Sequence, residues 1–166
     1  MYLFPNSQNN ELIMTNILMR MLLVLCLFSS SVFAQYGAPD GQWPTYGGDL
    51  GHTRYSALDQ IDAGNFSDLE VAWRFKTDNL GPAPEYRFQA TPLMVDGIIY
   101  TTAGSRRAVV ALDAETGELL WKYSMNEGDR GAFAPRQLSG RGLAFWQNED
   151  QSKVIYVTPG YQMVAL

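Results

Sequence analysis

The chain has 166 residues, of which 46% are hydrophobic and 17% are charged, and it carries a formal net charge of −5. These values are typical of a folded globular protein and exclude a disordered or collagen-like chain. An acidic chain without a basic run also argues against nucleic acid or an anionic membrane surface as the main partner.

Residues 1–34 predict a secretory signal peptide. Arg20 precedes the apolar run "MLLVLCLFSSSVFA", and Ala34 places a small residue directly before Gln35. This order of positive charge, apolar run and small residue is the pattern that signal peptidase recognises. We therefore expect cleavage after Ala34 and a periplasmic location.

The leader has two alternative internal starts, Met14 and Met19, because residues 1–13 contain no positively charged group. A transmembrane anchor is the alternative to a cleaved leader, but the strongly apolar stretch from Met21 to Phe28 is shorter than the roughly 20 residues that span a bilayer. Cys26 is the only cysteine of the chain and lies within the leader. The exported part is therefore expected to contain no disulfide and no thiolate metal site.

Residues 35–68 are predicted to be an irregular leading segment. The stretch "YGAPDGQWPTYGGDLGHTRYSALDQI" places Gly, Pro and Asp between aromatic residues and has little periodicity. Such a composition suits backbone that lies over a preformed body. Short strand-like runs bounded by turns follow, and no long amphipathic helix is predicted. These runs are "LEVAWRF", "ATPLMV", "GIIYTTA", "AVVALD", "ELLWKYS", "GLAFW", "KVIYVTP" and "QMVAL".

The strand-like runs repeat within residues 69–166. The pair Ile99-Tyr100 recurs as Ile155-Tyr156 and Trp73 recurs as Trp121, at spacings of roughly fifty residues. Units of this length with about four short strands are typical of β-propeller blades, whose apolar faces are covered by neighbouring blades. The predicted fold class is therefore an all-β propeller of which less than two blades are present, truncated within a repeat. A small two-sheet β-sandwich, complete in itself, is the alternative.

One turn of the repeat carries a recognisable motif, "ALDAETGELLW". In this motif Asp113 can accept bonds from turn amides, Thr116 adds a hydroxyl, Gly117 can adopt a left-handed conformation and Trp121 ends the returning strand. The spacing resembles the tryptophan-docking motif of pyrroloquinoline quinone (PQQ) dehydrogenases, in which each blade's Trp packs against its neighbour. Non-catalytic propellers, such as the outer-membrane assembly lipoprotein, share the motif, so its role is structural.

A more specific resemblance lies at the head of the mature chain. The stretch from Trp43 to Thr77 resembles the amino-terminal signature of quinoprotein alcohol and glucose dehydrogenases, and the match continues through "FQATPLMVDGIIYTT" and "GRGLAFW". The resemblance implies an eight-bladed propeller that holds PQQ and Ca²⁺, oxidises a sugar or an alcohol, and passes electrons to a quinone or cytochrome acceptor. It also implies that the catalytic Asp and the calcium ligands lie further along than Leu166, so that this piece alone is inactive.

Two residues are candidates for holding the cofactor. Arg141 in "SGRGLAFW" matches the family Arg that binds a PQQ carboxylate or its o-quinone side, with a solvated turn arginine as the alternative. Gln89 in "FQATPLMV" occupies the position at which many members place a Glu that touches the cofactor. The amide keeps hydrogen bonding and removes a charge. Arg136 is a further candidate, although an exposed loop arginine is the simpler interpretation.

Other departures and candidates complete the sequence picture. The stretch "FAPRQLSGR" lacks the adjacent-cysteine disulfide of some members, which favours the glucose-dehydrogenase-like branch. A non-catalytic assembly scaffold and a small carbohydrate-binding β-domain are the rival functions. The remaining polar and aromatic candidates are expected to be surface, turn or packing residues rather than metal ligands or a substrate mouth: His52, Asp49, Asp59, Trp43, Tyr46 and Tyr55.

Overall fold

The computed structural model describes Met14 and residues 16–21, 37–83, 85–138 and 142–166. The chain divides into two compact units, Met1–Ala34 and Gln35–Leu166. In the first unit, the described residues are helical and exposed. Among all described residues, no helix has both the length and the apolar character needed to cross a membrane.

The first sheet of the second unit is a four-stranded antiparallel meander. Its strands are β1 (Leu93–Val95), β2 (Ile98–Ala103), β3 (Ala108–Asp113) and β4 (Leu119–Tyr123), and they lie side by side in chain order. Each strand falls within a run predicted from the sequence, because β-branched and aromatic residues alternate with turn residues there. The sheet therefore has the strand count and the order of one propeller blade.

A second sheet begins about fifty residues further along the chain. It contains β5 (Ala144–Gln147), β6 (Ser152–Val157) and β7 (Met163–Ala165), again antiparallel and in chain order. The described helices of the second unit are single turns. They are the α-helix Asp129–Ala132 and the 3-10 helices Pro39–Gly41 and Phe66–Asp68.

The apolar core lies on both faces of β3. Val109 and Val110 are fully buried neighbours whose side chains point to opposite faces of the sheet. Val109 packs in one cluster with Val154 and Tyr156 of the second sheet, and Val110 packs in another with Leu80. A strand buried on both faces needs a layer on each side, which is the environment of an inner strand in a stack of blades.

The run "LEVAWRF" was predicted as a strand, but residues 69–77 join neither described sheet. The prediction of a strand is wrong for the described structure, because a strand is defined by ladder hydrogen bonds and this segment forms none with either described sheet. The side chains still alternate as in a strand: Trp73 and Phe75 are half-buried against the Val110 cluster, and Arg74 and Lys76 are exposed.

The turn that joins β3 to β4 forms as the sequence predicts. Asp113 Oδ1 accepts hydrogen bonds from the backbone N–H of Glu115 (3.1 Å), the backbone N–H of Thr116 (2.8 Å) and the Thr116 hydroxyl (2.8 Å). These bonds lower the pKa of Asp113, those from Thr116 most. Gly117 has a φ of +75°, and Trp73 donates its indole N–H to the carbonyl of Ala114 at 3.1 Å. The Trp of the preceding segment thus docks on this turn.

Candidate functional site

Gln89 lines a cavity of about 630 Å³, which we call the Gln89 cavity. One wall is formed by residues 82–83 and 86–89, which supply Gln89 and Arg87, and the other is the segment 134–138, which supplies Arg136. All three side chains are exposed. With Gln137, which also lines the cavity, the lining contains two guanidinium groups and two side-chain amides, a set of donors suited to an anionic ligand.

The wall that carries Gln89 is attached to the turn between β2 and β3, residues 104–107. The backbone N–H of Gly104 donates to Glu85 Oε2 at 2.9 Å, and Ser105 Oγ accepts from the backbone N–H of Ala83 at 3.3 Å. Gly104 has a φ of +72°, and a Cβ there would collide with the carbonyl of Leu80. Glycine is therefore required where the turn meets this wall.

Arg107, the last residue of the same turn, is bonded to the opposite wall. Its Nε donates to the carbonyl of Leu138 at 2.8 Å, its Nη2 to the carbonyl of Arg136 at 2.8 Å, and its Nη1 to the carbonyl of Val157 at 2.9 Å. Burial lowers the pKa of Arg107, although a guanidinium remains charged in proteins. The sequence analysis did not identify this residue, because its partners lie 29 to 50 residues away.

Arg141, the strongest candidate of the sequence analysis, lies outside the described residues. Gly142, which follows it, has a φ of +99°, and a Cβ there would lie 3.4 Å from the carbonyl oxygen of Thr91. The start of β5 therefore runs close to the segment that carries Gln89, two residues before Thr91. Gly142 also lines a second cavity of about 570 Å³ together with Arg107 and Arg136.

Asp49 is the centre of the leading segment's loop. The residue is buried, and its carboxylate accepts hydrogen bonds from the backbone N–H of Thr53 (2.9 Å), the Thr53 hydroxyl (2.8 Å) and the backbone N–H of Gly37 (2.9 Å). These bonds, led by the one from the Thr53 backbone, lower the pKa of Asp49. Asp49 acts here as a turn residue that ties the loop to Gly37.

The aromatic candidates of the leading segment pack locally. Trp43 exchanges backbone hydrogen bonds with Met94 of β1, at 2.7 and 3.1 Å, and so adds to the free edge of the first sheet. In the described part of the chain, the buried indole N–H of Trp43 has no acceptor. The ring centroids of Tyr46 and His52 lie 6.0 Å apart, and the backbone carbonyl of Tyr55 accepts a hydrogen bond from the backbone N–H of Ala38 at 2.8 Å. None of these residues lines the Gln89 cavity.

Acidic residues do not gather in the described structure. Within residues 37–83, 85–138 and 142–166 and the described helical residues of the leader, no three His, Cys, Asp or Glu side chains are placed to hold a metal ion. Asp59 is exposed. The described site is therefore defined by arginine and amide groups.

Comparison with solved structures places this fold among propeller dehydrogenases. The chain superposes on quinohemoprotein alcohol dehydrogenase from Comamonas testosteroni with a TM-score of 0.58 and 36% identity, covering 70% of this chain and 16% of that one. A europium-containing methanol dehydrogenase matches with a TM-score of 0.55 and 30% identity, covering 71% and 19%. The fold is therefore a β-propeller of which this chain forms a part, and not a free-standing sandwich.

Residues 43–166 match the family described as glucose/ethanol/alcohol dehydrogenase, β-propeller domain, of the PQQ type. The chain belongs to this family. A curated relative, quinohemoprotein alcohol dehydrogenase from Comamonas testosteroni, is 35% identical over 77% of this chain and 20% of its own length. The dehydrogenase subunit of a quinone-linked alcohol dehydrogenase from Gluconobacter oxydans is 36% identical over 78% and 16%. The chain thus spans about a fifth or less of the length of these relatives.

The residues of the Gln89 cavity fit the cofactor of this family. PQQ carries three carboxylates, and an arginine can bind a carboxylate through two parallel charge-assisted hydrogen bonds. Arg136 and Arg87 supply such groups, and Gln89 supplies an amide donor. The volume of about 630 Å³ lies within the roughly 300–1,000 Å³ that cofactor sites occupy.

Proposed function

We propose that this chain supplies the first blades and part of the cofactor site of a periplasmic PQQ-dependent dehydrogenase that oxidises an alcohol or a sugar. The observation that supports it best is the arginine-lined Gln89 cavity in a chain that matches the PQQ family over residues 43–166. Alcohol is the first choice of substrate, since the relatives from Comamonas and Gluconobacter are named alcohol dehydrogenases.

In this proposal the chain's own residues bind and orient. Arg136 and Gln89 hold carboxylates of the cofactor at the Gln89 cavity, and Arg141 binds a further carboxylate or the o-quinone side. When bound, PQQ supplies a quinone that accepts hydride from the substrate. A Ca²⁺ ion is proposed as the second cofactor, because a hard cation offsets the cofactor's negative charge. Its ligands and the catalytic Asp would be supplied by the other blades.

Export and electron transfer complete the proposal. The leader pattern of residues 1–34 supports secretion to the periplasm with Gln35 as the first residue of the mature protein. Electrons would pass to a quinone or a cytochrome, as the names of the relatives indicate for those proteins. Expression with its own leader in a Gram-negative host, followed by amino-terminal sequencing of the periplasmic product, tests this part. Uncut chain in the cytoplasm would contradict it.

The cofactor assignment is tested in the assembled enzyme, meaning this chain joined to the further blades of a full-length dehydrogenase. Titration of the apo-enzyme with PQQ in the presence of Ca²⁺ should restore dye-linked oxidation of primary alcohols, with glucose as the comparison substrate. Arg141→Ala should remove a carboxylate partner and weaken PQQ binding by about 3–5 kcal/mol, or roughly two to four decades. Arg141→Lys should recover only part of the lost PQQ affinity, because lysine lacks the planar fork of the guanidinium. An apo-enzyme that binds no PQQ would instead favour the scaffold function.

A further inference from the structure

The side chain of Arg107 links its own turn to two other backbone segments, the loop 136–138 and the end of β6. Its guanidinium donates to the carbonyls of Arg136, Leu138 and Val157 at 2.8, 2.8 and 2.9 Å. The carbonyls of Arg136 and Leu138 lie in a loop, which has no strand ladder to supply donors, and the carbonyl of Val157 lies at the last residue of β6. A planar guanidinium has five N–H groups that point outward in different directions within its plane, so it can donate to all three acceptors at once. The wall of the Gln89 cavity that contains Arg136 is thereby attached to the start of β3 and to the end of β6.

The charge of Arg107 adds to this geometry. Burial lowers the pKa of Arg107 most, Tyr161 and Glu127 raise it, and the positive charge of Arg136 lowers it again. Arg87 adds a third guanidinium on the opposite wall of the Gln89 cavity. An anion in the cavity would offset this concentration of positive charge. The wall is therefore bonded to Arg107 in an arrangement whose positive charges favour a bound carboxylate.

We infer that Arg107 is a positioning residue of the cofactor site: it fixes the backbone of residues 136–138 so that the side chain of Arg136 faces a cofactor carboxylate in the Gln89 cavity. Arg107 acts through Arg136 and the loop backbone rather than by touching the cofactor. This inference rests on the proposed function, since it assumes that PQQ is the anion bound there. It assigns a role to a residue other than Arg141 and Gln89, the two candidates from the sequence.

The test compares Arg107→Gln and Arg107→Lys with the neighbouring exposed arginine variant Arg106→Gln in the assembled enzyme. The first measurement is backbone amide hydrogen exchange of residues 134–138 in the apo-enzyme, which needs no cofactor. The second is the PQQ dissociation constant from titration of each apo-enzyme. Arg107→Gln should speed exchange in this segment and weaken PQQ binding roughly 10- to 100-fold, by analogy with the loss of a residue that orients a metal ligand.

Arg107→Lys should lie between the wild type and Arg107→Gln, because an ammonium can donate to carbonyls but lacks the planar fork. It also replaces Arg107→Gln in the comparison if that variant does not fold. Arg106→Gln should change neither measurement, which separates local fixation of the loop from loss of positive charge. Faster exchange with an unchanged PQQ dissociation constant would overturn the positioning role. Failure of the wild-type enzyme to bind PQQ would instead overturn the proposed function itself, a result visible before any variant is made.

Discussion

Gly117 and Gly97 adopt the same backbone conformation in different surroundings. Their φ angles are +75° and +79°, a region that residues with a Cβ rarely adopt. A Cβ at Gly117 would lie 2.5 Å from Cδ2 of Trp73, whereas a Cβ at Gly97 would meet no atom within 4 Å. Both positions therefore favour glycine for its backbone conformation, but only Gly117 also needs a residue without a Cβ so that Trp73 can pack on the turn.

We predict that Gly117→Ala destabilises β3 and β4, which flank its turn, more than Gly97→Ala destabilises β1 and β2, which flank the turn of Gly97. Both variants should lose about 1–2 kcal/mol from the left-handed conformation, and Gly117→Ala should lose roughly a further 1–3 kcal/mol because Trp73 is displaced. Hydrogen exchange of the amides in the strands that flank each turn, β3 and β4 for Gly117 and β1 and β2 for Gly97, measures the free energy of local opening. Equal losses in the two variants would show that the contact with Trp73 contributes nothing.

Local turn chemistry was predictable at the level of single residues, and long-range roles were not. The bonds from Thr116 to Asp113 join residues three apart, so the motif alone indicates them. Asp49 was expected to be a turn residue for the same reason, and it accepts from Thr53, four residues away. Arg107 binds carbonyls 29, 31 and 50 residues away. No spacing in a single sequence shows which distant loops a turn will meet.

At the scale of elements, Glu127 connects the loop after β4 to the turn between β6 and β7. Its carboxylate accepts the hydroxyl of Thr158 at 2.6 Å, the backbone N–H of Gly160 at 2.7 Å and the side-chain amide of Gln162 at 3.0 Å. Burial raises the pKa of Glu127, but these hydrogen bonds, with the charge of Arg130, outweigh it and lower the pKa overall. The ionised form therefore holds the two elements together.

Glu127→Gln should lower the free energy of local opening of the β6–β7 turn by about 1 kcal/mol at neutral pH. The substitution replaces one accepting oxygen by an NH₂ group, which would face a hydrogen-bond donor of the turn. The pKa in the folded protein is depressed, so the contribution of the carboxylate is fully present above its ordinary pKa of 4.5 and is lost as the pH falls through the folded value. Hydrogen exchange of residues 158–162, corrected for the intrinsic rate, should show a difference at pH 6.5 that vanishes in acid. The exposed Glu149→Gln is the control. A difference that persists in acid would assign the effect to shape rather than charge.

The segment 69–77 shows why strand pairing could not be predicted although the strand pattern could. The alternation of half-buried Trp73 and Phe75 with exposed Arg74 and Lys76 is the period of two that the sequence indicates. A strand in a sheet also needs a neighbour with free backbone groups, and the residues that supply it are not encoded in the segment itself. The local sequence therefore predicts which side chains of the segment are buried, but it does not predict which strand the segment pairs with.

At the scale of the whole molecule, the repeat predicted the architecture better than any individual strand did. The repeated runs became two sheets, β1–β4 and β5–β7, with the same antiparallel chain order. Val109 packs toward the second sheet and Val110 toward the segment before the first. The propeller class follows from this stacking, because each unit covers its apolar face with the next. The identity of the substrate does not follow, because it depends on groups that a repeat pattern does not specify.

The last prediction concerns residues 35–166 expressed alone. Many large apolar side chains of this unit are exposed, including Val71 at 60%, Leu120 at 47% and Met163 at 78%. Exposed apolar surface of this extent is typical of an interaction face rather than a free monomer. We expect the isolated unit to bind a hydrophobic dye, to associate as its concentration rises, and to unfold over a broad temperature range. Joining it to further blades should suppress the dye signal, since neighbouring blades cover these faces. A monomer with a sharp two-state transition and no dye binding would show that the two sheets form a self-sufficient fold.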